Sequence, residues 1–292
     1  MRSQLIVGMP NSGKSTYIGA LRHLLVAAEV TTELELSALS ENERHLNALE
    51  EKWLNCEQVP RTKPATEGWV EFRVKDRQTS VESNVMLPDL RGEAFEQPAC
   101  ISRCDGDLYE AVATADGILL FTNADREDDS MMTDDLSDIL GDEAPAAEGA
   151  VASTQGETPA TTAAEPPPFV PEKMPEEVKI VEFLQMANRR PLIARRRKLA
   201  LFVSAWDTVQ GSPSPSEWLK HNRPMLHQFL MTNADLWDLR AYGVSAQGGK
   251  LPKQQAELKA IACPSKRIRI IGHGVVAHDL SSPLRWLISG DG

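Results

Sequence analysis

Gly8-Met9-Pro10-Asn11-Ser12-Gly13-Lys14-Ser15 decides how the rest of the chain is read. It satisfies the phosphate-loop pattern in full: glycine, four residues, then Gly-Lys-Ser. The apolar stretch Leu5-Ile6-Val7 before it predicts a short strand, and the residues from Lys14 to about Ala28 predict a helix. Each position has a physical reason. The glycines permit backbone torsions that other residues resist. The loop N–H groups then converge on phosphate oxygens, and the following helix adds its positive end. Lys14 is expected to reach the β- and γ-phosphates of a nucleoside triphosphate, and Ser15 to ligate Mg²⁺. Gly8, Asn11, Ser12, Gly13, Lys14, Ser15 and Thr16 form the expected phosphate-side binding set.

The 292 residues suffice for one large domain or two small ones, with composition ordinary for a globular protein. No apolar run is long enough to predict a membrane span. The N-terminus passes straight into a strand and the phosphate loop, leaving no room for a signal peptide, so a cytoplasmic location is expected. Cys56, Cys100, Cys104 and Cys263 show no metal-ligand spacing and are expected to be reduced thiols. The net charge of −11 is uneven: residues 125–177 carry 15 acidic and 2 basic residues, a net of −13.

Alternation and helical periodicity order the rest. A helix is expected over Glu41–Leu54, with Ser40 and Glu43 as a capping box and Leu46, Leu49 and Trp53 on one face. Strands are expected at Trp69–Lys75, Asn84–Leu87, Gly117–Thr122, Lys198–Val203, Trp237–Val244 and Arg267–Ile271. Helices are expected at Leu108–Ala115, Glu176–Asn188, from Ser214 with a restart at Pro224, around Gln254–Ile261, and in the closing segment Asp279–Ile288. From about Asp128 to Pro175 the chain is rich in Asp, Glu, Ala, Thr and Pro. Such a segment buries too little apolar surface to offset its ordering entropy, so a disordered insertion is expected. It divides one domain into an N-terminal part, 1–127, and a C-terminal part, 176–292. Strands alternating with helices predict an α/β fold with a mostly parallel sheet, whose ligands sit at the carboxyl ends of the strands.

The remaining motifs fall at those ends. Asp89-Leu90-Arg91-Gly92 follows a strand: Asp89 can hold Mg²⁺ through water, and the Gly92 N–H can meet the γ-phosphate. Asp207 can accept two hydrogen bonds from the N1–H and N2 amino group of guanine, a pair that adenine does not offer. Ser245-Ala246, after the next strand, can present a backbone N–H to guanine O6. Thr62 or Thr66, both ahead of the Trp69 strand, can complete the Mg²⁺ shell; Thr62 is slightly preferred.

In this order the parts resemble the translation-factor-related class of P-loop GTPases, whose boxes are a phosphate loop, a switch-I Thr, DxxG, [NT]KxD and SAK. The matching stretches are Gly8–Ser15, a Thr within Arg61–Thr66, Asp89–Gly92, Ser204–Asp207 and Ser245–Gln247. More narrowly, the Asn-Ser-Gly-Lys-Ser-Thr-Tyr loop, Ser204-Ala205-Trp206-Asp207, and His278-Asp279-Leu280-Ser281-Ser282-Pro283-Leu284-Arg285-Trp286-Leu287 look like the bacterial double-GTPase families. The resemblance implies a three-layer, Ras-like P-loop fold, GTP with Mg²⁺, and a partner GTPase or effector encoded nearby in a multi-gene conflict or stress system. Membrane and nucleic-acid partners are not expected.

The chain departs from that pattern in three places. Ala205 stands where a Lys normally lays its stem over the base, which implies weaker guanine affinity unless Trp206 compensates. Glu93 stands where Ras-like members carry the Gln that orients the attacking water. A carboxylate there is repelled by the γ-phosphate, so hydrolysis that is slow or partner-dependent is expected, with Lys14, Thr62 and Glu93 nearest the chemistry. Lys14 and Asp89 are 75 positions apart, with the Glu41–Leu54 helix filling the excess as a candidate partner-facing element. The alternatives are a nucleotide-binding scaffold that hydrolyses nothing, or a P-loop ATPase or kinase. The basic run at Arg189-Arg190 and Arg195–Lys198 is expected to be a solvated helix end and strand start. His273 and His278 lack metal-ligand spacing, Arg91 is expected at the surface, and Trp286 and Leu287 are expected to pack.

Overall fold

A computed structural model describes residues 2–38, 43–58, 69–88, 93–125 and 174–289. Within them the strands are β1 (Arg2–Gly8), β2 (Leu34–Ala38), β3 (Trp69–Asp76), β4 (Glu82–Pro88), β5 (Gly117–Asn123), β6 (Arg197–Ser204), β7 (Trp237–Ser245) and β8 (Arg269–Ile271). The helices are α1 (Lys14–Ala27), α2 (Glu43–Leu54), α3 (Glu93–Ile101), α4 (Gly106–Thr114), α5 (Glu176–Met186), α6 (Pro215–Asn222), α7 (Pro224–Thr232), α8 (Gln255–Lys259) and α9 (Ser281–Ile288). The expected insertion falls almost wholly outside the described residues, as does Ser40 of the expected capping box.

The strands form one sheet in the order β2-β3-β4-β1-β5-β6-β7-β8. The interior pairs β4–β1, β1–β5, β5–β6 and β6–β7 are parallel, and the outer pairs are antiparallel. Parallel strands need crossover connections, and these place helices on both faces. Alternation along the central strands divides the core accordingly. Ile6, Leu119, Phe121 and Phe202 face α1, α2 and α9. Leu5, Val7, Leu120, Leu201 and Val203 face α3 to α7. Tyr17, Phe121, Phe202 and Tyr242 pack edge to face through the first layer, with centroids 5.1–5.7 Å apart.

The three-layer α/β architecture matches the sequence expectation, with local corrections. The expected strand over Arg267–Ile271 is shorter, because Pro264–Arg267 forms a 3-10 turn and pairing starts at Arg269. The expected helix over Gln254–Ile261 shrinks to Gln255–Lys259. Two elements go beyond the expectation. β2 is a short edge strand with a register shift between Leu36 and Ala38, and α3 contains Pro98 within its helical turns. The Ser214 capping box is present, and the two helices meet at Arg223.

The pairing register aligns the functional strand ends. Gly8 lies beside Phe121, Phe121 beside Phe202 and Asn123 beside Ser204, and Val203 beside Gly243. The phosphate loop, the Ser204–Asp207 stretch and the Ser245 loop therefore open on one edge of the sheet.

Candidate functional site

The phosphate loop is built for close approach. A Cβ at Gly8 would lie 2.6 Å from Ser12 Oγ and 2.9 Å from Phe121 Cβ, so only glycine fits between the loop and β5. Gly13 has φ +93°, the left-handed region that favours glycine. Asn11 also has positive φ, 60°, a conformation Asn tolerates better than most residues. Ser12 is fully buried. Helix α1 then begins with no side-chain cap and no acidic residue in its first turn. That N-terminus keeps its positive end for an anion.

Lys14 folds back over its own loop. Its Nζ donates to Gly8 O at 2.6 Å, Met9 O at 2.9 Å and Ser12 Oγ at 3.3 Å. The ammonium also sits 5.6 Å from the centroid of the buried Phe95 ring on α3. Phe95 in turn packs edge to face on Phe183 of α5, and Lys179 of α5 pairs with Glu96 at 2.9 Å. The helix that follows the Asp89–Gly92 motif is thus pinned to α5 while its ring touches the phosphate-loop lysine. Asp89, Arg91, Gly92, Thr62 and Thr66 lie outside the described residues, as does the side chain of Glu93.

The residues expected on the base side converge from β6 and β7. Ala205 turns the chain in left-handed conformation, φ 54°, into a 3-10 turn over Trp206–Thr208 that carries Asp207. Ser245 Oγ donates to Asp207 Oδ1, and the Gly248 N–H donates back to Ser245 Oγ at 3.1 Å. The bond fixes one carboxylate oxygen. Trp53 Nε1 donates to Ala246 O at 2.9 Å. The Trp206 ring lies against Gly243 of β7 and packs on Trp218 of α6, 6.4 Å between centroids.

Sequence reasoning missed Asn123, whose Nδ2 donates to Asn11 O at 3.0 Å and ties the end of β5 to the phosphate loop. Its place at the carboxyl end of a predicted central strand was the available signal. A buried polar group backs this junction. Thr122 Oγ1 donates to Glu176 Oε2 at 3.1 Å. Arg223 lies 3.6 Å from the same carboxylate and donates to Asn123 O at 3.3 Å.

The C-terminal motif is architectural. Asp279 is buried and accepts from the Ser281 N–H at 2.8 Å, Ser281 Oγ at 2.6 Å and Ser282 Oγ at 2.9 Å. Ser281 Oγ accepts the Glu33 and Leu34 N–H groups, docking α9 on edge strand β2. Tyr17 OH on α1 donates to Leu280 O at 3.2 Å, and burial raises the Tyr17 phenol well above its usual range. Leu287 is buried, and Trp286 stacks under Arg240 and Lys198. The basic run divides: Arg189, Arg190 and Arg196 are exposed, as a solvated helix end and strand start would be, while Arg195, Arg197 and Lys198 bond to the fold. Arg197 is buried and donates to Ala187 O and Asn188 Oδ1, and burial pushes its guanidinium down to about 10. Arg195 binds Ala113 O and Ala115 O, and Lys198 binds Trp286 O. Among the described residues no His/Cys/Asp/Glu cluster suits a metal ion, and no helix is long and apolar enough to cross a membrane.

Solved structures similar to this chain include Sup35 complexed with GDP, at 15% identity and TM-score 0.36, covering 85% of this chain and 38% of that one. The S. cerevisiae Ski7 GTPase-like domain bound to GTP matches at 12% identity and TM-score 0.39, covering 85% and 43%. The G domain of the T. maritima FeoB iron transporter matches at 11% identity and TM-score 0.33, covering 88% and 95%. The chain thus spans under half the length of the first two. No curated protein matches its sequence. The family model for Double-GTPase 1 matches residues 5–287, nearly the whole length. Phosphate loop, strand order and family match agree: this chain is a P-loop GTPase of the Double-GTPase 1 family.

Proposed function

We propose that this protein binds GTP with Mg²⁺, hydrolyses it slowly, and acts as a molecular switch read by a second GTPase or effector encoded nearby in a bacterial conflict or stress system. The observation that carries the base assignment is Asp207, held by Ser245 at the ends of adjacent parallel strands beside the phosphate loop. A carboxylate so placed accepts from guanine and is mismatched to adenine.

The Ser15 hydroxyl, at the start of α1, would hold Mg²⁺ together with Asp89 and Thr62 or Thr66. When bound, the ion supplies positive charge to the phosphate oxygens. The chain's own part is electrostatic. The Lys14 ammonium and the loop N–H groups neutralise charge on the phosphoryl group as water attacks in line. Glu93, in place of a water-orienting Gln, supports slow turnover or completion of the site by a partner. The same residue favours a second reading, a nucleotide-binding scaffold that hydrolyses nothing.

Displacement of a fluorescent GDP analogue tests the first reading. GTP is expected to compete and ATP to fail, with Mg²⁺ required for full affinity. Lys14→Ala is expected to weaken triphosphate binding by about 100-fold or more, as loss of a strong charge-assisted contact implies. Full affinity in that variant refutes the site. Single-turnover hydrolysis, with and without the neighbouring GTPase, separates the switch from the scaffold.

A further inference from the structure

We infer that Trp53 of α2 is a positioning residue for the guanine loop, setting its distance from the helix that begins with the phosphate loop. The inference rests on the guanine reading above and extends it to a residue outside the expected site. Trp53 is fully buried, and its indole N–H is spent on Ala246 O at 2.9 Å, within the Ser245–Gln247 loop. Gln247 Nε2 returns a hydrogen bond to Trp53 O at 3.4 Å. The Arg267 guanidinium lies 4.2 Å from the centre of the indole ring and donates to Trp53 O at 3.3 Å, Leu54 O at 3.4 Å and Cys56 Sγ at 2.7 Å. On its other side α2 lies directly against α1. A Cβ on Gly19 would come within 2.6 Å of Leu49 O and 3.1 Å of Trp53 Cβ.

One rigid side chain therefore spans two parts of the site. It touches the helix that carries Lys14 and Ser15, and it holds the loop that meets the base. Close packing leaves the loop little room to shift relative to that helix while Trp53 is in place, because interiors contain little free volume. The helix that lengthens the chain between Lys14 and Asp89 thus acts inward, and through Trp53 it sets the geometry of base recognition.

Trp53→Phe keeps an aromatic ring and deletes the N–H. Isothermal titration with GDP, ADP and inorganic tripolyphosphate, each with Mg²⁺, reads the outcome. GDP affinity is expected to fall about 10-fold, the scale of one lost buried hydrogen bond, while tripolyphosphate and ADP move less than about twofold. Arg267→Lys, which removes the fork that braces Trp53, is expected to give the same split and serves if the first variant does not fold. Equal weakening of GDP and tripolyphosphate, or no change in either, overturns the inference. A wild-type protein that binds GDP and ADP equally overturns the guanine reading itself, and the positioning role with it.

Discussion

Ser245 Oγ donates to Asp207 Oδ1, joining the ends of two neighbouring parallel strands by a side-chain bond. Because Gly248 N–H donates to the same hydroxyl, the loop after β7 and the turn after β6 share one anchor. Ser245 is buried while Asp207 is exposed, so the bond is shielded from water on the hydroxyl side only. Ser245→Ala leaves the Gly248 N–H and one Asp207 oxygen without that partner. The expected cost is about 1–2 kcal/mol in GDP affinity, roughly 10-fold, with the far-UV circular dichroism unchanged. Calorimetric titration of GDP checks it.

Glu176 is buried at the junction between β5 and the phosphate loop, with Arg223 beside it. Removing one partner of a buried pair leaves an uncompensated charge. Arg223→Met is therefore expected to destabilise the fold by about 3–5 kcal/mol. Adding Glu176→Gln to the same chain should recover a large part of that loss, measured by urea unfolding. Additive losses would show that the pair is not the source.

Acid sensitivity should be felt where α9 meets β3. Burial works to raise the Asp76 carboxyl, but the Arg285 hydrogen bond at 2.7 Å and the N–H groups of Thr79 and Gln78 outweigh it and hold its pKa below the usual carboxylate range. The unfolded chain, near the ordinary value of about 3.9, then binds the proton more readily. The stabilisation is present above about pH 4 and is lost as pH falls through the lower folded value. Asp76→Asn should lower the melting temperature at pH 7 and flatten its decline below pH 4. An unchanged decline would show that the carboxylate contributes nothing.

The fold was legible wherever pattern and function coincide. Gly8–Ser15 announces its own loop, and the apolar runs of β5 and β6 are continuous because both their faces are covered. β2 was missed because its five residues lie at an edge, where pairing with β3 rather than hydrophobicity defines the strand. α3 was missed because Pro98 argues against a helix and Glu93 reads as part of a loop. The sequence places Asp207 and Ser245 at strand ends, but their mutual bond depends on pairing register, which no single segment encodes. Trp53 shows in the sequence only as part of one apolar helix face. Its N–H reaches Ala246, 193 positions away, a contact only the tertiary fold reveals.

In the proposed function Asp207 selects guanine at a site whose phosphates rest on Gly8–Ser15. Asp207→Asn tests it most directly, since Asn keeps an oxygen for Ser245 while losing the charge and one acceptor. Xanthine carries a carbonyl where guanine carries its N2 amino group, so it suits the amide rather than the carboxylate. Titration of GTP and XTP into both proteins is expected to show GTP preferred by the wild type and XTP by the variant, with the ratio moving by about 100-fold or more, as two exchanged buried hydrogen bonds imply. The same preference in both proteins would contradict the account.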